Sequence, residues 1–141
     1  MTQFITATTF VPAITVTAGA AGTSDINGAV IDTAGYEGVA FIAQLGAIVS
    51  GAVTSLKVQV GDAANLSDAA DVPGLSLTVA DTDDEDIKVL EFRRPTGRYV
   101  RLVCDRGTQN ATVSAIAALY GSREQIVTQP SATTAAVAVS G

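Results

Sequence analysis

The sequence predicts an all-β protein, an antiparallel β-sandwich of the jelly-roll type with extended N- and C-terminal arms. Apolar residues recur mainly with the period of two that marks a strand, and turn residues interrupt the chain often enough to give seven or eight short strands. This spacing is typical of two facing sheets, and the repeats of a propeller or solenoid are absent from the sequence. We predict a single domain over residues 1–141, with an arm at 1–24, a sandwich core at 25–121 and an arm at 122–141.

The N-terminal arm is predicted to be extended. Residues 2–16 are rich in Thr, Phe, Ile and Val, which favour strands, and Pro12 restricts them to a sheet edge or a free arm. Disordered tails are normally charged and poor in such residues, so we expect this arm to be ordered in an assembly. A glycine-rich turn at 19–22 precedes a short predicted strand within 25–32.

The first core strands show the pattern of buried β-structure. Residues 36–45 place four apolar side chains on one face, which are Val39, Phe41, Ala43 and Leu45. Ala40 and Ile42 make the other face apolar as well, which predicts a central or interfacial strand. Residues 53–60 alternate cleanly, so one side of that strand should face water.

A loop is predicted over residues 61–74 from its Gly, Asp, Asn and Pro content, with one helical turn possible at 66–70. Leu75 begins the next predicted strand, and residues 87–92 form another.

The stretch from Gly97 to Gly121 is predicted to be a hairpin of two strands joined by a turn at 106–110. Alternation places Val100, Leu102 and Cys104 toward the core. Cys104 is the single cysteine, so it has no intrachain disulfide partner, and we interpret it as a small core residue rather than a reactive thiol.

Charge is scarce and unevenly distributed. Charged residues make up 16% of the chain, against about 25% in typical soluble domains. Before Lys57 the charged side chains are Asp25, Asp32 and Glu37, so we expect the N-terminal third to pack on a partner. The net charge of −6 argues against nucleic acid as the main partner. No secretory signal or membrane span is predicted, because threonine interrupts each apolar run near the N-terminus.

The residue types argue against most catalytic chemistry. The sequence has no histidine, which excludes Ser-His-Asp triads and histidine-ligated metal sites. Carboxylates are densest at residues 81–86, which begin like a calcium loop but lack its glycine and its distant glutamate. We interpret this segment as a solvated acidic loop, with a cation site as the alternative. We therefore predict a protein that is not an enzyme and that has no cofactor and no metal.

Two groups of residues are candidates for binding a partner. Apolar anchors are expected in the N-terminal arm, namely Phe4, Ile5, Phe10 and Val11. Basic side chains that could dock an acidic surface are expected before the last two strands, namely Arg93, Arg94 and Arg98. The alternative for these arginines is ordinary surface pairing with acidic residues, including those at 81–86.

Three segments carry a resemblance to a known family. GYEGVAF at 35–41, GDAANLSD at 61–68 and GRYVRL at 97–102 resemble the head decoration, or cementing, proteins of tailed bacteriophages, of the jelly-roll type found in a Bordetella phage. The likeness spans most of residues 28–121. It implies a non-enzymatic homo-oligomer, a dimer rather than a trimer, that binds the major capsid protein on the outer surface of the virion and bridges neighbouring capsid subunits.

Two other functions stay open at this point. A phage tail, baseplate or fibre β-module would share the fold and bind a host glycan or a tail protein. A carbohydrate-binding or hydrolytic β-sandwich would need exposed aromatic residues or convergent carboxylates, and a chain with no Trp, three Tyr and four Phe supplies few of the former.

Overall fold

The computed structural model describes residues 4–123 and 129–130, and there the chain forms two antiparallel sheets packed face to face. The elements in chain order are α1 (Phe4–Ala7), β1 (Thr9–Ile14), β2 (Ile26–Asn27), β3 (Ile31–Asp32), β4 (Gly38–Ile48), β5 (Val53–Gly61), β6 (Ala70–Val79), β7 (Ile87–Arg93), β8 (Tyr99–Gly107) and β9 (Ala111–Tyr120). No helix in this part of the chain has the length and apolar character needed to cross a membrane.

The strand order is that of a jelly roll, which confirms the predicted fold class. One sheet has the order β1-β9-β4-β7 and the other β2-β8-β5-β6, with β3 also paired to β8. Strands near the start pair with strands near the end, and β5 pairs with β6 at the middle, so the chain resembles one long hairpin rolled into two sheets. The sheet edge predicted from Pro12 is confirmed, since β1, which lies within the predicted arm, is an edge strand.

The predicted hairpin at 97–121 is wrong in its pairing. Strands β8 and β9 lie in different sheets, β8 against β5 and β9 between β1 and β4. The chain crosses from one sheet to the other between Gly107 and Ala111, where Thr108 has a φ of 68°. Each strand was identified correctly because alternation reports which face is buried, but alternation carries no information about the neighbouring strand.

The predicted loop at 61–74 is also shorter in the structure, because β6 already begins at Ala70 and includes Pro73 and Gly74. Proline is tolerated there since β6 is an edge strand, where an N–H group can be lost without breaking the sheet. Hydrogen-bonded turns take the place of the possible helical turn, and Leu66 is buried beneath them with a φ of 53°.

The core lies between the two sheets and contains the side chains that alternation placed inward. The largest fully buried side chains are Phe41, Leu45, Leu56, Leu102, Val39, Val58, Val100, Val113 and Cys104. The predictions for the inward faces of 36–45 and 53–60 are thereby confirmed, and β4 is a central strand as predicted.

Cys104 is fully buried, and this burial raises the pKa of its thiol to about 11. Because the thiolate is the reactive form, we expect almost no reaction with a disulfide reagent at pH 8 in the folded protein and complete reaction after denaturation. The measurement is the rate of thionitrobenzoate release with and without guanidinium chloride. Rapid labelling of the native protein would show that the site opens readily.

Candidate functional site

The outward side of the four-stranded sheet carries a row of apolar side chains that crosses all four strands. The register pairs Pro12 with Ile116, Ile116 with Ile42, and Ile42 with Val89. Residues paired across strands project to the same side, so these four side chains form one continuous row. Ile116 is 46% exposed and Val89 is 56% exposed. The row therefore faces solvent rather than the core.

Neighbouring positions extend the row into a patch. A second row lies two residues along the strands from the first and consists of Phe10, Ala118 and Ala40, which are paired in register. The exposed Ile87 lies on the opposite side of the first row. We call this patch the outer apolar face, and its members are Phe10, Pro12, Ala40, Ile42, Ile87, Val89, Ile116 and Ala118. A groove of about 440 Å³ runs along it beside Ile14 and Val16, and none of the described residues that line the groove is charged.

The N-terminal residues flank this face. The Phe4 ring, which is 63% exposed, meets the Phe10 ring edge-on at a centroid distance of 5.2 Å. The side chain of Gln129 secures the segment, accepting from the Phe10 N–H at 3.0 Å and donating to the carbonyls of Ile5 and Thr8 at 2.9 and 2.7 Å. An aromatic pair is thus held at the β1 edge of the outer apolar face.

The four predicted apolar anchors do not share one surface. Phe10 belongs to the outer apolar face, Phe4 lies beside it, and Ile5 is half-buried in α1. Val11 projects to the other side of β1 and packs against the core. Its contribution is therefore to the sandwich interior rather than to an exposed surface.

The outer apolar face is bounded at one end by polar groups. Gly38 has no side chain, which leaves room for the Tyr120 ring to pass over it and donate a hydrogen bond to Glu91. Burial, together with this bond, raises the pKa of Tyr120 to about 12. Beside it, Arg93 forms an ion pair with Glu37 at 2.8 Å.

The three predicted arginines differ in the groups that they contact. Arg93 is paired with Glu37, and Arg98 binds both carboxylate oxygens of Asp32 at 2.9 and 2.8 Å. The hydrogen bonds from Arg98 lower the pKa of Asp32. Arg94 has a φ of 52°, and its guanidinium has no partner among the described residues. The ordinary surface pairing left open by the sequence thus accounts for two of the three.

A polar cleft of about 680 Å³ lies at this end of the molecule. Its lining includes Arg94 and Arg98, the acidic Glu37 and Asp62, and the ring of Tyr36. Arg123 also lines the cleft, so its described lining combines three arginines, two carboxylates and one aromatic ring, which together supply hydrogen-bond donors and acceptors.

Acidic side chains at 81–86 form hydrogen bonds and an ion pair with other groups of the same chain. Asp81 accepts a hydrogen bond from the Gly51 N–H at 2.7 Å, and Asp84 accepts one from the Ile48 N–H at 2.6 Å. Asp83 bonds the Ala80 N–H and lies 3.0 Å from the Lys88 ammonium, and both contacts lower the pKa of Asp83. Within residues 4–123 and 129–130, no group of His, Cys, Asp or Glu side chains is placed to hold a metal ion.

Sequence reasoning did not identify the outer apolar face as a unit. A partial signal existed in Ala40 and Ile42, which make β4 apolar on both sides. Ile116 and Val89 belong to strands distant in sequence, and only the register places them beside Ile42.

No protein-family model and no curated protein sequence matches the chain. Among solved structures, the chain is similar to the crystal structure of the SPBc2 prophage-derived protein YomS. The two are 12% identical in sequence, the alignment covers 84% of this chain and 98% of that one, and the TM-score is 0.49.

Proposed function

We propose that this protein is a non-enzymatic decoration protein of a tailed bacteriophage, which binds the major capsid protein on the outside of the head and bridges neighbouring subunits. The observation that carries the proposal is the outer apolar face, a continuous apolar patch on the outward side of four strands, exposed at Ile87, Val89 and Ile116 and with Phe4 and Phe10 at its edge. The resemblance of residues 35–41, 61–68 and 97–102 to cementing proteins supports the same function.

A protein that clamps a shell needs broad contact with the shell surface. Four strands spaced about 4.8 Å apart give a face roughly 19 Å wide, which suits broad contact rather than insertion into a pocket. Contiguous exposed apolar surface of this kind marks interaction sites in soluble proteins. Aromatic anchors such as Phe4 supply much of the energy of an interface when a partner buries them.

The distribution of charge supports a protein surface as the partner. The outer apolar face contains no charged member, whereas the ion pair of Arg93 and Glu37 lies at its rim. Such an uncharged centre with a polar rim is the usual anatomy of protein–protein interfaces. The net charge of −6 disfavours binding to nucleic acid. The proposed location is therefore the outer surface of the virion.

The test is co-sedimentation of the purified chain with emptied heads of the phage that encodes it, stripped of this protein. We expect saturable binding at a fixed ratio to the major capsid protein and a higher temperature of head disruption when the sites are filled. Absence of binding to heads would overturn the proposal. Purified tails serve as the control, because a capsid clamp has no site on them.

The polar cleft favours a second candidate, a tail, baseplate or fibre module that binds a host glycan or a tail protein. Its arginines, its carboxylates and the ring of Tyr36 are groups that bind sugars. Binding to tails instead of heads, or binding to a glycan that is lost on Tyr36→Ala and Arg94→Ala substitution, would favour this candidate.

A further inference from the structure

The four edges of the two sheets differ in how they are protected. An exposed strand edge presents unpaired N–H and C=O groups, and natural proteins usually blunt it with proline, bulges, short strands, charged side chains or a covering segment. In the described residues, β1 has Pro12, a register shift after it, and Gln129 bound to its Phe10 N–H. On the other sheet, β2 and β3 are two residues each, and β6 includes Pro73 and Gly74.

Within the described part of the chain, strand β7 has charged side chains but no proline, no bulge and no covering strand. Its seven residues pair with β4 without a register shift and include neither proline nor glycine. Among the described residues no strand pairs with its other side. Ile87 and Val89 are both exposed along it. A regular, open and partly apolar edge of this kind is a template for another strand.

The backbone groups that β7 offers can be identified from its ends. The Arg94 N–H donates to the Glu37 carbonyl at 2.8 Å, and the Leu45 N–H donates to the Asp86 carbonyl at 2.9 Å. Hydrogen-bonded pairs alternate along an antiparallel ladder, so the even-numbered residues between these ends bond to β4. The N–H and C=O groups that point away from β4 are therefore those of Ile87, Val89, Glu91 and Arg93.

We propose that β7 pairs with β7 of a second copy of this chain, antiparallel about a two-fold axis, so that the four-stranded sheets of both copies join into one. The register with Leu90 opposite the partner's Leu90 uses all seven residues of the strand. In this register the backbone of Val89 forms hydrogen bonds with that of the partner's Glu91, and the backbone of Ile87 with that of the partner's Arg93. The reciprocal pairs follow by symmetry.

The side chains favour a second copy as the occupant because this register is self-complementary. On the outward side, Glu91 meets the partner's Val89 and Arg93 meets the partner's Ile87. On the inward side, Lys88 meets the partner's Phe92. No like charges lie directly opposite, whereas registers centred on Lys88 or Glu91 would place identical charges against each other.

Pairing at β7 also enlarges the surface described above. The row that ends at Val89 continues into the partner's row of Glu91, Ala40, Ala118 and Phe10, so the outer apolar faces of both copies lie on the same side of the joined sheet. The pairing uses the sheet edge and leaves that face open. It therefore holds whether or not the face binds a capsid shell.

The first test uses the full chain without any substitution. Sedimentation velocity at micromolar concentration should give twice the mass of the chain. Amide hydrogen exchange should show protection of Ile87, Val89, Glu91 and Arg93 that falls on dilution to monomer, since these N–H groups bond only to the partner. A monomer at all concentrations, or a dimer in which these four amides exchange freely, would overturn the proposal.

The second test substitutes residues that the proposed register places opposite each other. Val89→Pro removes an outward N–H without breaking a bond to β4, and Val89→Glu sets a carboxylate opposite the partner's Glu91. Each change should weaken dimerisation about tenfold or more. Combining Val89→Glu with Glu91→Lys places opposite charges across the seam and should restore most of the affinity. Failure of both single variants to weaken the dimer would place its interface elsewhere and overturn the proposal.

The matched control is Val53→Glu, because Val53 is a strand valine that is 67% exposed on the other sheet. It should leave the dimer intact, and circular dichroism verifies the fold of each variant. The outcomes separate this inference from the proposed function. A monomer that still saturates heads overturns the pairing alone, and a dimer that ignores heads overturns the function alone.

Discussion

Replacing Ile116 with glutamate is expected to abolish binding to phage heads while leaving the sandwich folded. Ile116 lies at the centre of the outer apolar face, flanked by Pro12 and Ile42 in register, and is 46% exposed in the free protein. A carboxylate buried there without a partner costs several kcal/mol in the complex but little in free protein, where it points to water. A loss of about 3 kcal/mol corresponds to more than 100-fold in affinity. Co-sedimentation titrations with heads measure this loss of affinity.

Val53→Glu is the matched control for this prediction, since it adds the same charge at an exposed strand position of the opposite sheet. It should change head affinity less than about threefold, because surface substitutions outside a contact have small effects. If Ile116→Glu bound heads as tightly as the unsubstituted chain, the outer apolar face would not be the docking surface. Attention would then move to the polar cleft around Arg94.

Replacing Phe41 with alanine is expected to reduce the free energy of unfolding by about 3–5 kcal/mol. Phe41 is fully buried between the sheets on central strand β4, in register with Leu90 on one side and Ala117 on the other. Removing the ring loses the free energy gained by transferring it from water into the core. It also leaves a cavity that two hydrogen-bonded sheets cannot readily close. Guanidinium denaturation should show a lower midpoint with an unchanged slope.

The control for this measurement is Val53→Ala, which removes apolar atoms from an exposed site and should change stability by less than about 0.5 kcal/mol. A loss below about 1 kcal/mol for Phe41→Ala would mean that the ring contributes little to the core.

The partner residues predicted from the sequence are only partly brought together by the fold. Phe4 and Phe10 form an aromatic contact at the edge of the outer apolar face, but Val11 turns into the core because adjacent strand residues project to opposite sides. Arg93 and Arg98 are held by carboxylates far away in sequence. Such pairings depend on loop positions that no local pattern contains.

The sequence alone determined that the chain is a β-sandwich, where most of its strands lie, and which side of β4, β5 and β8 is buried. Those properties follow from alternation between adjacent residues, so Phe41, Leu56 and Cys104 could be placed in the core before any fold was known. Only the tertiary structure decided that β8 and β9 belong to different sheets, that Ile42 and Ile116 meet in one outer face, and that no other described strand pairs with the outer edge of β7. The physical reason is that strand pairing joins residues far apart in the chain, and local periodicity contains no record of which distant strand completes a hydrogen-bonded ladder.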